Sequence, residues 1–169
     1  ARVVHGGFGT EGALVDAAVL RDTRGLRVVV GCRNAPVNID LDACSAFGVP
    51  VLNAPGRNAV AVADLAVLFM LSLARRSAAG GDFLRQPGSV AGDMGRMGQA
   101  FSLFRGAELW NLTVGLVGLG AVGREVARRL RGFGCRLLVS DPAVDAREAA
   151  RHDAELLGLD ELLERSDVV

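Results

Sequence analysis

Lysine is missing from this chain of 169 residues: all nineteen basic residues are arginine. A Walker-type phosphate loop needs a lysine at its phosphates, and a Schiff-base enzyme needs one as nucleophile, so both classes are excluded. Histidine is scarce. His5 and His152 stand far apart in sequence, and neither a zinc site nor a catalytic triad can be assembled from them. Cysteine occurs three times, at Cys32, Cys44 and Cys135, an odd number with no CxxC pair. That usage predicts reduced thiols packed in a core, and a cytoplasmic protein. Net charge is absent as well, because nineteen acidic residues balance the nineteen arginines. A nucleic-acid or anionic-membrane surface leaves a basic excess, so neither partner is expected. The longest apolar run, Ala59 to Ala74, is broken by Asp64 and Ser72 and is too short for a confident membrane span. No signal peptide is expected, since Arg2 and His5 precede a short strand rather than an apolar segment.

Against these absences, half of the residues are hydrophobic, enough to bury a core. The most informative stretch is TVGLVGLGAVGREVARRLRGFGCRLLVSD, from Thr113 to Asp141. Its apolar, β-branched start, Thr113 to Val117, reads as a buried strand. Gly118, Gly120 and Gly123 follow at GxGxxG spacing. The first permits a tight turn, the second lets a pyrophosphate approach the backbone, and the third lets helix pack on strand. The next helix places Val122, Val126, Leu130 and Phe133 on one face, and turns Arg124, Glu125, Arg128 and Arg131 mostly away from it. Gly132 and Gly134 close that helix. A strand from Arg136 to Ser140 then delivers Asp141, where dinucleotide sites place an acid on the adenosine ribose. A second triplet, Gly7, Gly9 and Gly12, also has this spacing. The strand after it ends in Gly31-Cys32-Arg33 without an acid, so it reads as an ordinary strand-to-helix turn.

Residues 2 to 56 alternate strand and helix: Arg2 to His5, a helix near Glu11 to Leu20, Arg27 to Val30, a helix near Asp40 to Phe47, and Val49 to Asn53. That order predicts a parallel sheet with helices packed on it. Ala54-Pro55-Gly56-Arg57 is the best hinge. Asn58 is then placed to cap a helix from Ala59 to Arg76 that is apolar all round, the pattern of an element buried between domains or subunits. Gly80 to Gly106 reads as a long loop with one or two helical turns, functional or an intersubunit arm. Further on, Asp145 to Arg151 reads as a surface helix and Glu155 to Leu157 as a short strand. Leu159 to Arg165 reads as a helical turn with Leu159, Leu162 and Leu163 inward, and Asp167 to Val169 as the start of another strand. The predicted architecture is α/β, with partial parallel-sheet and Rossmann domains. Residues 1–56 form one domain, 57–106 a hinge, interface helix and arm, and 107–169 the first half of a Rossmann domain. The chain reads as interrupted at both ends.

From Asn38, NIDLDACSAFGVPVLNAPGRNAVAVADLAVLFMLSLAR, then TVGLVGLGAVGREVARRLRGFG, VSDP and LDELLERSDVV together resemble the D-isomer-specific 2-hydroxyacid dehydrogenases, nearest the D-3-phosphoglycerate dehydrogenase group. The match runs in register from Leu26 to Val169. It implies a substrate domain and an NAD-binding Rossmann domain, an active site in the cleft between them, and a homodimer formed through the Rossmann domain. By position, Gly118, Gly120, Ala121, Val122 and Gly123 would meet the pyrophosphate and Asp141 the ribose. An acid there favours NAD over NADP. Arg33 and Asn34 align with a loop beside substrate and nicotinamide, and Asn58 with an asparagine at the hinge. Asp64 stands where the family usually has glutamate and is expected to be a buried, paired acid.

Three departures accompany the resemblance. Arg33-Asn34-Ala35-Pro36 replaces a glycine-rich segment, which leaves the substrate open. Trp110-Asn111-Leu112 replaces the usual glycine-lysine. The family's catalytic arginine, glutamate and histidine all follow the strand at which this sequence stops. His5 and His152 match neither their place nor their context, and His152, in a polar Arg-His-Asp run, is expected at the solvated surface. No catalytic residue and no metal ligand is therefore assigned. The resemblance implies an NAD-dependent oxidoreductase acting on a small 2-hydroxy or 2-keto acid. The alternative is a non-catalytic NAD(H)-binding module or sensor. A methyltransferase shares the glycine turn and ribose acid but leaves the remaining match unexplained.

Overall fold

A computed structural model of the chain describes residues 2–6, 14–23, 25–88 and 90–169. The chain divides after Asn58 into two compact units, each with its own sheet and core.

In the first unit, β1 (Arg2–Gly6), α1 (Ala17–Asp22), β2 (Leu26–Gly31), α2 (Leu41–Ala46) and β3 (Val51–Asn53) follow one another. The strands lie in the order β1-β2-β3 and all pair in parallel. Leu20, Val29, Ile39 and Cys44 form the buried centre. Of the helix expected near Glu11 to Leu20, residues 11–13 lie outside the described residues, and α1 starts at Ala17. Val15 is extended instead and bridges in parallel to Ile39. Asp16 then starts the helix, its Oδ1 accepting the N–H groups of Ala18 and Val19, both at 2.9 Å. An aspartate at an N-cap satisfies donors that the first turn leaves open, which is why the helix begins there. The glycine triplet Gly7, Gly9 and Gly12 lies outside the described residues.

The second unit opens with three helices, α3 (Ala59–Ala74), α4 (Ser77–Leu84) and α5 (Met94–Leu103). The Rossmann portion follows: β4 (Thr113–Val117), α6 (Ala121–Leu130), a 3-10 turn (Arg131–Phe133), β5 (Arg136–Ser140), α7 (Ala146–Ala150), β6 (Ala154–Leu156) and α8 (Leu159–Arg165). The strands run parallel in the order β4-β5-β6. On the other side of β4, Val168 bridges to Val114, and Gly115 N–H donates to Val168 O at 2.8 Å. Flanked on both sides, β4 is the strand from which the glycine turn departs. Val114, Leu116, Leu119, Val126, Leu130, Leu137 and Val139 fill the core beneath that turn. Leu130 is wholly buried, so cutting it to alanine costs about 2–5 kcal/mol.

Helix α3 buries the stripe Ala59, Ala63 and Val67 within its own unit, while Leu65, Leu68, Phe69 and Leu73 are exposed. Three expectations need correction. Asp64 is not a buried acid: its side chain is 64% exposed and pairs with Arg129 at 2.6 Å. The stretch read as a loop holds two full helices. Glycines at 80, 81, 95 and 98 lower its helix propensity, but tertiary contacts override that. Arg96 lies over the Phe83 ring, 4.7 Å from its centre, and its Nη2 donates to Phe83 O at 2.7 Å. On α8 only Leu162 turns inward; Leu159 and Leu163 are about half exposed.

Candidate functional site

The Rossmann signature residues converge at the carboxyl ends of β4 and β5. Gly118 adopts φ +101°, which an L side chain rarely accepts, and a Cβ on it would meet nothing within 4 Å. Leu119 turns its side chain fully into the core. A Cβ on Gly120 would likewise meet nothing within 4 Å, so its backbone borders open space. Gly123 differs: a Cβ there would lie 2.3 Å from Gly118 O. The third glycine is therefore required by the packing of helix on turn, whereas the second leaves open space above the turn.

Helix α6 starts with Gly120 as its N-cap and no side chain capping it. Elsewhere, Asp16, Asp40, Asp93 and Asp145 perform that task for α1, α2, α5 and α7. The first intrahelical backbone bond of α6 is Arg124 N–H to Gly120 O, at 3.0 Å. The N–H groups of Ala121, Val122 and Gly123 consequently project from the positive end of the helix, where an anion is favoured.

Asp141 stands beside this turn, partly buried rather than aimed into the interior. Its Oδ2 accepts Leu119 N–H at 2.7 Å and its Oδ1 accepts Ala143 N–H at 2.8 Å. These two bonds, Leu119 first, hold its carboxyl below the ordinary carboxylate range, with Arg124 adding to them and partial burial opposing them. Each oxygen retains a lone pair after its backbone bond, so the ionised group can still accept from a diol. Open space over Gly118 and Gly120, an uncapped helix start and an oriented carboxylate fit a dinucleotide's diphosphate and ribose.

The residues expected on the substrate side lie in the first unit. Asn34, in the loop after β2, holds that loop to the segment after β3. Its Oδ1 accepts Gly56 N–H at 2.9 Å, and its carbonyl accepts from Asn53 Nδ2 at 2.7 Å. Arg33 O accepts Ala54 N–H at 3.2 Å. Asn58 is exposed at the end of the unit. His152 is only 21% exposed, not solvated as expected, and its Nε2 lies 3.7 Å from Glu148 Oε1 on α7. Among the described residues no cluster of His, Cys, Asp or Glu could hold a metal ion, and no helix is long and apolar enough to cross a membrane.

Arg124 was placed by periodicity alone, as a residue turned away from the apolar face. It also reaches back, its Nε donating to Leu119 O at 3.0 Å. The fourth residue after an N-cap can fold over the turn it follows, but an arginine at that position is too common on helices to have been a signal by itself.

Comparisons with known proteins agree with this geometry. Residues 67–169 match the family model described as "D-isomer specific 2-hydroxyacid dehydrogenase, NAD binding domain". The chain is 37% identical over 155 residues to D-3-phosphoglycerate dehydrogenase of Mycobacterium bovis, covering 92% of this chain and 28% of that protein. It is 32% identical over 157 residues to glyoxylate reductase of Thermococcus onnurineus, covering 92% and 46%. The holo form of D-mandelate dehydrogenase from Rhodotorula graminis superposes with a TM-score of 0.80 at 27% identity, over 98% of this chain and 49% of that one. The chain thus spans less than half the length of these relatives. It belongs to the D-isomer-specific 2-hydroxyacid dehydrogenases, with an α/β fold of parallel sheets and NAD as cofactor.

Proposed function

We propose that the protein carrying this chain transfers a hydride between NAD(H) and a small 2-hydroxy or 2-keto acid. The observation that carries this reading is the juxtaposition at the end of β4: an uncapped ten-residue helix start beside a carboxylate that two backbone N–H groups orient. Gly118, Gly120, Ala121, Val122 and Gly123 hold the diphosphate through their backbone and the space above it. Asp141 accepts from the ribose hydroxyls, and its charge disfavours a 2′-phosphate, so NAD is preferred to NADP. Arg33 and Asn34 border the substrate, with Asn58 at the hinge.

NAD supplies the hydride acceptor at its nicotinamide when it is bound. In the oxidising direction the substrate's C2 gives up a hydride and its hydroxyl gives up a proton, leaving the keto acid. The proton needs a base poised near neutrality, and none of the residues placed around the glycine turn provides one. His152 lies in the turn after α7, its Nε2 3.7 Å from Glu148 Oε1. The contribution of the residues around the glycine turn is therefore to bind and orient the dinucleotide.

In this reading residues 1–56 belong to the substrate domain and 107–169 are the first half of the NAD-binding domain, joined by 57–106. The exposed apolar residues of α3 offer the surface for a homodimer. Cys44 and Cys135 carry free thiols, which suits a cytoplasmic location.

Two measurements test the proposal. Fluorescence titration is expected to show NADH binding, with NADPH weaker. A spectrophotometric panel of 2-keto acids is expected to show NADH consumption for at least one. Binding without turnover of any acid would favour the non-catalytic NAD(H)-binding module, and absence of binding would remove both readings.

A further inference from the structure

Leu119 sits between two glycines, and each of its flanking peptide planes is held by one charged side chain. The plane before it presents Leu119 N–H to Asp141 Oδ2 at 2.7 Å. The plane after it carries Leu119 C=O and Gly120 N–H, and Arg124 Nε donates to that carbonyl at 3.0 Å. Glycine neighbours impose little torsional restraint, so without such holds both planes could rotate. Rotation of the second would swing Gly120 N–H away from the mouth of α6. Arg124 is itself held from α7, because its Nη2 lies 3.3 Å from Glu148 Oε1. Glu148 is fixed in turn. Its Oε2 accepts from Arg151 Nη1 at 2.8 Å, and its N–H donates to the capping Asp145 Oδ1 at 2.7 Å. The two donor arms of one planar guanidinium thus tie a backbone carbonyl of the turn to a carboxylate on the next helix, a geometry that a single ammonium reproduces poorly.

We propose that Arg124 is a positioning residue of the dinucleotide turn: by gripping Leu119 C=O it fixes the Leu119–Gly120 peptide, and so the Gly120 N–H, while Glu148 holds Arg124 in place. This rests on the dinucleotide reading above and adds to it a residue that need not touch the cofactor. It also makes α7, through Glu148, part of the support of the site.

The test uses the protein carrying this chain and two readouts. NADH titration of Arg124→Gln is expected to raise Kd about tenfold, the scale of a lost hydrogen bond from a charged donor. Glu148→Gln, which leaves Arg124 on the turn but loosens its anchor, is expected to raise Kd about threefold. Arg124→Lys should fall between wild type and Arg124→Gln. In the dinucleotide-free protein, the Gly120 amide resonance should shift and exchange faster with solvent in Arg124→Gln, while amides in the middle of β5 stay in place. Arg124→Gln with unchanged NADH affinity overturns the proposal. So does a weakened Kd with an unmoved Gly120 amide, because the effect would then be one of charge alone. If the unaltered protein failed to bind NADH, the dinucleotide reading would fall, whereas the Gly120 amide, observed without ligand, would still report whether Arg124 holds the turn.

Discussion

Arg129 on α6 reaches Asp64 on α3, its Nε donating to Asp64 Oδ1 at 2.6 Å. The same guanidinium donates through Nη1 to Glu125 Oε2 at 2.5 Å and to Glu125 O at 2.8 Å, and through Nη2 to Val60 O at 3.3 Å. Its side chain is only 15% exposed. One planar cation thereby fastens the exposed-faced helix α3 to the helix that begins at the dinucleotide turn.

Replacing that cation should loosen α3. Arg129→Met is expected to lower Tm by several degrees, because Glu125 loses the stronger of its partners and Val60 O loses a donor. Arg129→Lys should recover only part, since one ammonium cannot serve all four acceptors. Asp64→Asn should have a smaller effect, its side chain being largely in water, where pairing is screened. Thermal melts of the three variants check the order, and an unchanged Tm in Arg129→Met would refute it.

The two later glycines of the turn should respond differently to substitution. Gly120→Val leaves the fold intact, because its Cβ enters open space, and abolishes NADH binding by filling the approach to the backbone. Gly123→Ala places a Cβ 2.3 Å from Gly118 O and should lower Tm as well as affinity. Melting and NADH titration of both variants separate the two roles.

Asp141→Ala should weaken NADH about tenfold, as a charged hydrogen-bond acceptor is lost, and narrow the gap to NADPH. Unchanged affinities for both dinucleotides would overturn the ribose assignment. Because the Leu119 and Ala143 N–H groups hold its carboxyl below the usual range, the acceptor stays ionised through mild acid. NADH affinity should therefore survive as pH falls through the ordinary aspartate range and decline only below it.

Acid should also weaken the second unit as a whole. Glu125, held chiefly by Arg129, Glu148, held chiefly by Arg151, and Glu155, held chiefly by Arg136, all have lowered pKa values. A carboxyl depressed in the folded state adds stability that is fully present above its unfolded pKa and is lost as pH falls through the folded one. Tm should hold from neutrality down to the ordinary glutamate range and drop beneath it, less steeply in high salt. A Tm independent of pH across that window would contradict these pairings.

The exposed face of α3 predicts self-association. Leu65→Asp combined with Phe69→Asp should shift the protein toward monomer in light scattering, weakening association at least about tenfold. Equal masses for the two forms at micromolar concentration would rule out this surface.

Legibility in the sequence followed how local the determining physics was. Strands β4 and β5 are short apolar runs ended by glycine or aspartate, and their residues agree with the expectation from pattern. The turn at Gly118 and the place of Asp141 beside it were readable because both belong to one local strand-turn-helix-strand unit. Helices α4 and α5 were not. Their glycines argue for a loop, and what overrides them is the stacking of Arg96 on Phe83 and of Arg76 over Phe104, pairs that no local window contains. Asp64 misled because an acid inside an apolar run implies burial, whereas here the apolar residues around it are themselves exposed. Arg124 and Glu148 lie 24 residues apart by their numbers, and their pairing depends on how α7 docks beside α6.

Trp110 rests against the turn that closes α6: a Cβ added to Gly134 would lie 2.8 Å from its ring. It is the sole tryptophan, and the chain contains no tyrosine. Within this chain, emission excited at the indole therefore comes from the second unit, and residues before Ala59 contribute none. Emission and far-ultraviolet circular dichroism, followed together during denaturation, can thus time the melting of one unit against the other without any engineered label.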